Sequence, residues 1–239
     1  MGRSFLAMKR TSTKPTQTKS VRYTVLAFAF ALILSVALTF CSSVGFAQPV
    51  YSVNVVGYVT KIAPPGLSMF SNQLNADPNN RVQTLIASAP GSITVSKFNA
   101  PAGNFDLAIY DPDSGWNDPT SMVLNPGQGA FLDNATGANL PLVFVGEIQL
   151  SSVINIHPGL DVYSSPLPIE GDLNAIGFPT PPCSLSFFKF NGRAYDVYVF
   201  DQDAGGWSPT VPTVKIADAF FLDNPCFPII WTRNFVIGP

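Results

Sequence analysis

The stretch Phe105-Asp-Leu-Ala-Ile-Tyr-Asp-Pro-Asp113 is written a second time, with substitutions, as Tyr195-Asp-Val-Tyr-Val-Phe-Asp-Gln-Asp203. In the first copy Phe105, Leu107 and Ile109 alternate with Asp106, Ala108 and Tyr110. That period of two is the pattern of a half-buried β-strand. Each stretch then runs into an Asp- and Gly-containing turn followed by tryptophan, Gly115-Trp116 and Gly206-Trp207.

The echo extends in both directions and keeps its order. Upstream, Gly66-Leu-Ser-Met-Phe-Ser-Asn-Gln-Leu74 matches Gly159-Leu-Asp-Val-Tyr-Ser-Ser-Pro-Leu167, and Lys97-Phe98-Asn99 matches Lys189-Phe190-Asn191. Downstream, Phe131-Leu-Asp-Asn134 matches Phe221-Leu-Asp-Asn224, and Val143-Phe-Val-Gly146 resembles Phe235-Val-Ile-Gly238. Matches in the same order at an offset of 90 to 93 are the mark of one module written twice. Ser92–Phe98 and Gly129–Asp133 also read as strands between Pro, Gly, Asn and Asp turns. Residues 80–88 and 172–176 have apolar spacing that predicts one short helix per module.

The fold expected is therefore all-β: two tandem modules of about 90 residues, related by pseudo-symmetry, each a small sandwich or partly open barrel. The modules are placed at residues 48–149 and 150–239, with no Ser/Gly-rich linker between them. One difference stands out. The second copy has Ala217-Asp218-Ala219 where the first has Gly127-Gln128-Gly129, and its turn there is expected to differ.

Ahead of the modules, six basic residues and no acidic one occupy the first 22 positions, and Val25–Phe40 is apolar apart from Ser35 and Thr39. With Val44-Gly45-Phe46-Ala47 behind it, this reads as a signal peptide, residues 1–47, cleaved after Ala47; an uncleaved anchor is the competing reading. A lipoprotein reading through Cys41 is weakened by Phe40 before it. The protein is thus expected to be secreted, or to lie at the cell surface or in the periplasm.

Removal of the leader takes away six of thirteen basic residues and none of fifteen acidic ones, leaving a net charge of −8. That balance argues against nucleic acid or an anionic membrane as partner, because both are held by basic patches. Cys183 and Cys226 then remain, and in an oxidising compartment they are expected to form a disulfide.

The order Gly-x-x-Leu/Phe-Ser-Asn-x-Leu, Lys-Phe-Asn, Gly-Trp, Asn-Pro-Gly-x-Gly-x-Phe-Leu and Phe-x-Gly-Glu, after Asn54-Val55-Val56-Gly57-Tyr58-Val59, resembles uncharacterised tandem-repeat proteins exported by environmental bacteria. The resemblance covers nearly all of residues 51–239 and implies export, but no particular activity.

Three kinds of candidate site follow from residue chemistry. Asp111, Asp113 and Asp118, echoed by Asp201 and Asp203, alternate before a glycine as at the opening of a calcium loop; the later bidentate Glu is missing, and a hairpin turn uses the same residues. Trp116 and Trp207, with Tyr110, Tyr198 and Trp231, are candidates for an aromatic platform under sugar rings, against the alternative of hairpin packing. A carboxylate pair such as Asp106 and Asp111 would suit glycoside hydrolysis if suitably separated.

Asn125-Pro126-Gly127-Gln128-Gly129 precedes a strand-like segment and reads as a turn, not a phosphate loop, and the lone His157 reads as an exposed loop residue. No nucleophile elbow or zinc-protease motif is present. The leading expectation is a non-catalytic structural or adhesive protein that needs no cofactor and whose partners are extracellular polysaccharide or other envelope proteins. A calcium-assisted carbohydrate-binding protein comes second, and a carboxylate hydrolase third.

Overall fold

The outline of the fold follows from its strand pairings. The computed structural model describes residues 55–235. The expected leader and the Val236–Gly238 part of the last repeat match lie outside them. In the first module the strands are β1 (Val56–Ala63), β2 (Gly66–Ser71), β3 (Ile93–Asn99), β4 (Asn104–Asp111), β5 (Gly115–Asn117), β6 (Gly129–Asn134) and β7 (Leu140–Glu147). In the second they are β8 (Ser151–Ile156), β9 (Gly159–Ser164), β10 (Gly171–Asp172), β11 (Leu185–Phe190), β12 (Tyr195–Asp201), β13 (Gly206–Ser208), β14 (Thr213–Val214), β15 (Ala219–Asn224) and β16 (Ile229–Asn234).

Both modules are built to one plan. A five-stranded antiparallel sheet, β2-β6-β3-β4-β5 or β9-β15-β11-β12-β13, is capped by a ribbon formed from the module's first and last strands, β1-β7 or β8-β16. The sheets keep free edges, so each module is an open sandwich and not a closed barrel. Val59 of β1 and Leu142 and Phe144 of β7 meet Val95, Ala108, Tyr110 and Leu132 of the sheet in the first core. Trp231 and Ile156 meet Phe187, Phe200 and Leu222 in the second.

The repeated residues explain why both copies fold alike. Asn134 and Asn224 are buried, and their Nδ2 groups donate to Ala63 O (3.0 Å) and Phe227 O (2.9 Å), tying the sheet to the turns at its end. Asn99 and Asn191 donate to Asp106 (3.3 Å) and Asp196 (3.0 Å) across the β3-β4 and β11-β12 hairpins. The disulfide Cys183–Cys226 joins the segment before β11 to the turn between β15 and β16, with Cα atoms 6.6 Å apart.

Several expectations need correction. The short helix expected within residues 80–88 is present as one turn, α1 (Val82–Leu85), but among the described residues it has no counterpart in the second module. Residues 173–177 form turns and no helix, because Gly171 (φ 148°) and Gly177 (φ 66°) bracket too few residues to offset helix nucleation. The turn with Ala217 matches its counterpart: Ala217 has φ 60° and Gly127 has φ 92°, so the alanine accepts the left-handed strain that glycine avoids.

Alternation left open which face is buried, and the structure decides it. On β4 it is Ala108 and Tyr110 that point into the core, while Phe105, Leu107 and Ile109 stay 42 %, 46 % and 43 % exposed. On β12, Phe200 is buried and Tyr195, Val197 and Val199 stay 42 %, 49 % and 40 % exposed.

The described residues of the two modules form one compact unit, because a third apolar cluster joins the modules. Met69 and Phe131 of the first sheet pack on Val162, Ala219 and Phe221 of the second, with Phe98, Phe188 and Phe190 at the margin. Phe98 lies 5.6 Å from Phe221, and Phe190 lies 5.6 Å from Phe131. These contacts are images of one another under the repeat, so equivalent faces meet across a pseudo-two-fold.

Candidate functional surfaces

The acidic turns are self-contained caps. Asp111 Oδ1 accepts from the N–H groups of Asp113 (2.9 Å) and Ser114 (3.2 Å), and Asp201 Oδ1 does the same for Asp203 (2.9 Å) and Ala204 (3.2 Å). Asp118 accepts from Thr120 Oγ1 (3.1 Å) and Met122 N (2.7 Å). Each carboxylate replaces a backbone acceptor in its own turn, which is why Asp suits these positions. Among the described residues, no group of three or more His, Cys, Asp or Glu side chains is placed to hold a metal ion.

The aromatic residues face inward. Trp116 and Trp207 are half-buried against the two cores, and Trp116 Nε1 donates to Ile86 O at 2.8 Å. Their rings lie 5.4 Å from Tyr110 and 5.5 Å from Phe200. Trp231 is fully buried, so it is no part of a surface platform.

Two chemically distinct junctions lie on either side of the pseudo-two-fold. The turns before β6 and β15 reach across to the opposite module: Ser164 N donates to Gly127 O (2.9 Å) and Ser71 N to Ala217 O (3.1 Å). In one junction Asp218 pairs with Lys61 of the first module and, at 3.2 Å, with Lys189 of its own. Burial works against the Asp218 carboxylate, but Lys61, the Lys215 N–H and Lys189 outweigh it and hold its pKa below the usual range.

In the other junction Gln128 replaces Asp218, and Ile154 takes the place of Lys61. Lys97 Nζ donates to Gln128 Oε1 (3.0 Å) and Val123 O (2.7 Å). An open cleft of about 680 Å³ lies here, lined by Lys97, Asp106, Asn125, Gln128, His157 and Asp161 among others. Burial pushes the Lys97 pKa down, against the pull of Asp161 and Asp106, and pushes that of Asp161 up against the Val162 N–H, Lys97 and His157. Tyr163 is pushed up to about 12 by burial, and its Oη accepts from His157 N at 2.9 Å. His157 itself is exposed.

Sequence reasoning did not pick out this junction. Its signals were the lysine in the repeated Lys97-Phe98-Asn99 and Lys189-Phe190-Asn191 and the exchange of Gly127-Gln128-Gly129 for Ala217-Asp218-Ala219.

The largest departure from an ordinary soluble surface is apolar. An antiparallel sheet with one wet face normally turns polar residues outward. Here the outward positions of β4 are Phe105, Leu107, Ile109 and Asp111 and those of β12 are Tyr195, Val197, Val199 and Asp201, apolar except for the Asp at each strand's end. Leu67 and Leu160 share these faces and are 43 % and 42 % exposed. A concavity of about 240 Å³ is lined by Leu160, Phe188, Tyr195 and Phe221.

Compared with known proteins, the chain matches no family model, no curated protein and no solved structure. Among the described residues no helix is long and apolar enough to cross a membrane. The disulfide belongs to an oxidising, non-cytoplasmic environment.

Proposed function

We propose that this chain is a non-catalytic structural or adhesive protein of the cell envelope or extracellular space, exported behind the leader at residues 1–47. The observation that carries this reading is the apolar outer face repeated on β4 and β12, where the first three outward side chains of each strand are hydrophobic and only the Asp at its end is not. Uncovered apolar faces of this kind mark surfaces of interaction. The residues kept between the two copies support the same reading, since Asn99, Asn134, Trp116 and their counterparts serve packing and turn closure.

Capture on phenyl-coated and on hydroxyl-coated beads tests the proposal. Retention is expected on the phenyl surface alone, with an order-of-magnitude loss for the double variant Leu107→Ser, Val197→Ser. Equal retention of variant and unsubstituted chain would remove the basis of the reading. Binding to soluble polysaccharide that is lost with Trp116→Ala or Trp207→Ala would favour the carbohydrate-binding alternative instead.

A further inference from the structure

We propose that the partner of these apolar faces is a second copy of this chain, and that the β4 strip of one copy covers the β12 strip of the next. The inference rests on the adhesive reading and names its occupant. Phe105, Leu107 and Ile109 lie on the same sheet face as Met69 and Phe131, which already pack on Val162, Ala219 and Phe221. Tyr195, Val197 and Val199 share the face of Val162 and Phe221 in the same way. Each strip therefore continues the established inter-module interface past the point where the opposing sheet ends.

The two sheets meet through β2, β6 and β3 against β9 and β15, and the exposed side chains of β4 and β12 lie beside that overlap. Because the sheets face each other, the two strips point in opposite senses. They are the two open halves of a lap joint. A neighbouring copy that lays its β12 strip over a β4 strip extends the same two-layer packing, which already joins a first-module face to a second-module face within each chain. Stacked sheets sit about 10 Å apart, and that spacing is set by side chains of these kinds.

The concavity at Leu160, Phe188, Tyr195 and Phe221 lies beside the β12 strip and offers a seat for a side chain of the opposing β4 strip. Its counterpart in the first module has Ser96 where the second has Phe188, so the two strips are not alike. With the two strips of one chain pointing in opposite senses, the contact is heterologous. Repeated, it makes an open chain of copies.

Sedimentation velocity tests this on the chain expressed with its own leader into an oxidising compartment and purified. The unsubstituted protein is expected to form species larger than a dimer as concentration rises. Leu107→Lys and Val197→Lys, each alone, are expected to weaken association by on the order of 10- to 100-fold, the value of one buried aliphatic side chain. A mixture of the two variants restores one good contact per pair and is expected to stop at dimers. Circular-dichroism melts of both variants should match the unsubstituted chain, because both positions are exposed.

Dimers formed by either variant alone would overturn the lap joint in favour of a two-fold contact. Association that survives in both variants, or an unsubstituted chain that stays monomeric, would overturn the inference. If the monomeric chain still binds phenyl beads, the adhesive reading stands without it, and if it does not, both fall.

Discussion

The inter-module contact predicts an asymmetry between two equivalent positions, Gly129 and Ala219. They face each other at the pseudo-two-fold, and there is room for only one methyl group. A Cβ built on Gly129 would fall well inside contact distance of Ala219 Cβ and 2.7 Å from Val162 Cγ1, with Tyr163 O at 3.5 Å. Gly129 is not in the left-handed region, so Gly129→Ala tests crowding alone. Overfilling a packed contact costs about 1–3 kcal/mol. At about 2–4 °C per kcal/mol for a chain of this size, the melting temperature should fall by about 2–12 °C.

Ala219→Gly alone removes the opposing methyl and should cost about 1 kcal/mol. In the Gly129→Ala background the same change relieves the clash, so the double variant should be more stable than the sum of the singles by about 1 kcal/mol or more. Chemical denaturation of the four proteins, with the disulfide intact, measures this coupling. A Gly129→Ala cost under about 0.5 kcal/mol, or strict additivity, would show that the sheets do not meet as described.

Asp218→Ala should destabilise the protein by about 2–4 kcal/mol, because it leaves Lys61 and Lys189 partly buried without their shared anion, as a denaturation curve at neutral pH will read. The folded pKa of Asp218 is lowered, so its contribution is present above the unfolded value of about 3.9 and lost as pH falls through the folded value; the Asp218→Asn variant should show a shallower acid loss of stability than the unsubstituted chain. Reducing Cys183–Cys226, which closes 43 residues, should cost about 4 kcal/mol, read as a fall of about 8–16 °C in melting temperature. Asp111→Ala should cost about 0.5–2 kcal/mol through loss of its turn hydrogen bonds, equally in EDTA and in calcium; a melting point raised by calcium and lost in the variant would make the turn a metal site.

Much of the fold was legible because its signals are local. Alternation at 105–110 and 195–200 marked strands, the turns Asp113-Ser-Gly115 and Asp203-Ala-Gly205 marked hairpins, and the repeat made each reading twice over. The second helix failed because apolar spacing says nothing about the glycines at 171 and 177 that cut the segment short. The turn at Ala217 was expected to change because its residues depart from Gly127-Gln128-Gly129, yet Ser71 and Gln73 hold it: Ser71 N donates to Ala217 O at 3.1 Å, and Ala217 N donates to Gln73 Oε1 at 2.9 Å.

The sequence by itself determined that the chain is all-β, that it holds one module twice and where most turns fall, since each of these depends on neighbours or on comparison of the copies. Only the tertiary structure decided which face of β4 and β12 enters a core. A period of two assigns alternate residues to opposite faces but does not say which face another layer will cover. Tyr110 and Phe200 were drawn inward by ribbons built from the far ends of each module, leaving Phe105, Leu107 and Ile109 in the open. The partnership of Lys61 with Asp218, 157 residues apart, was likewise invisible until the modules closed on each other.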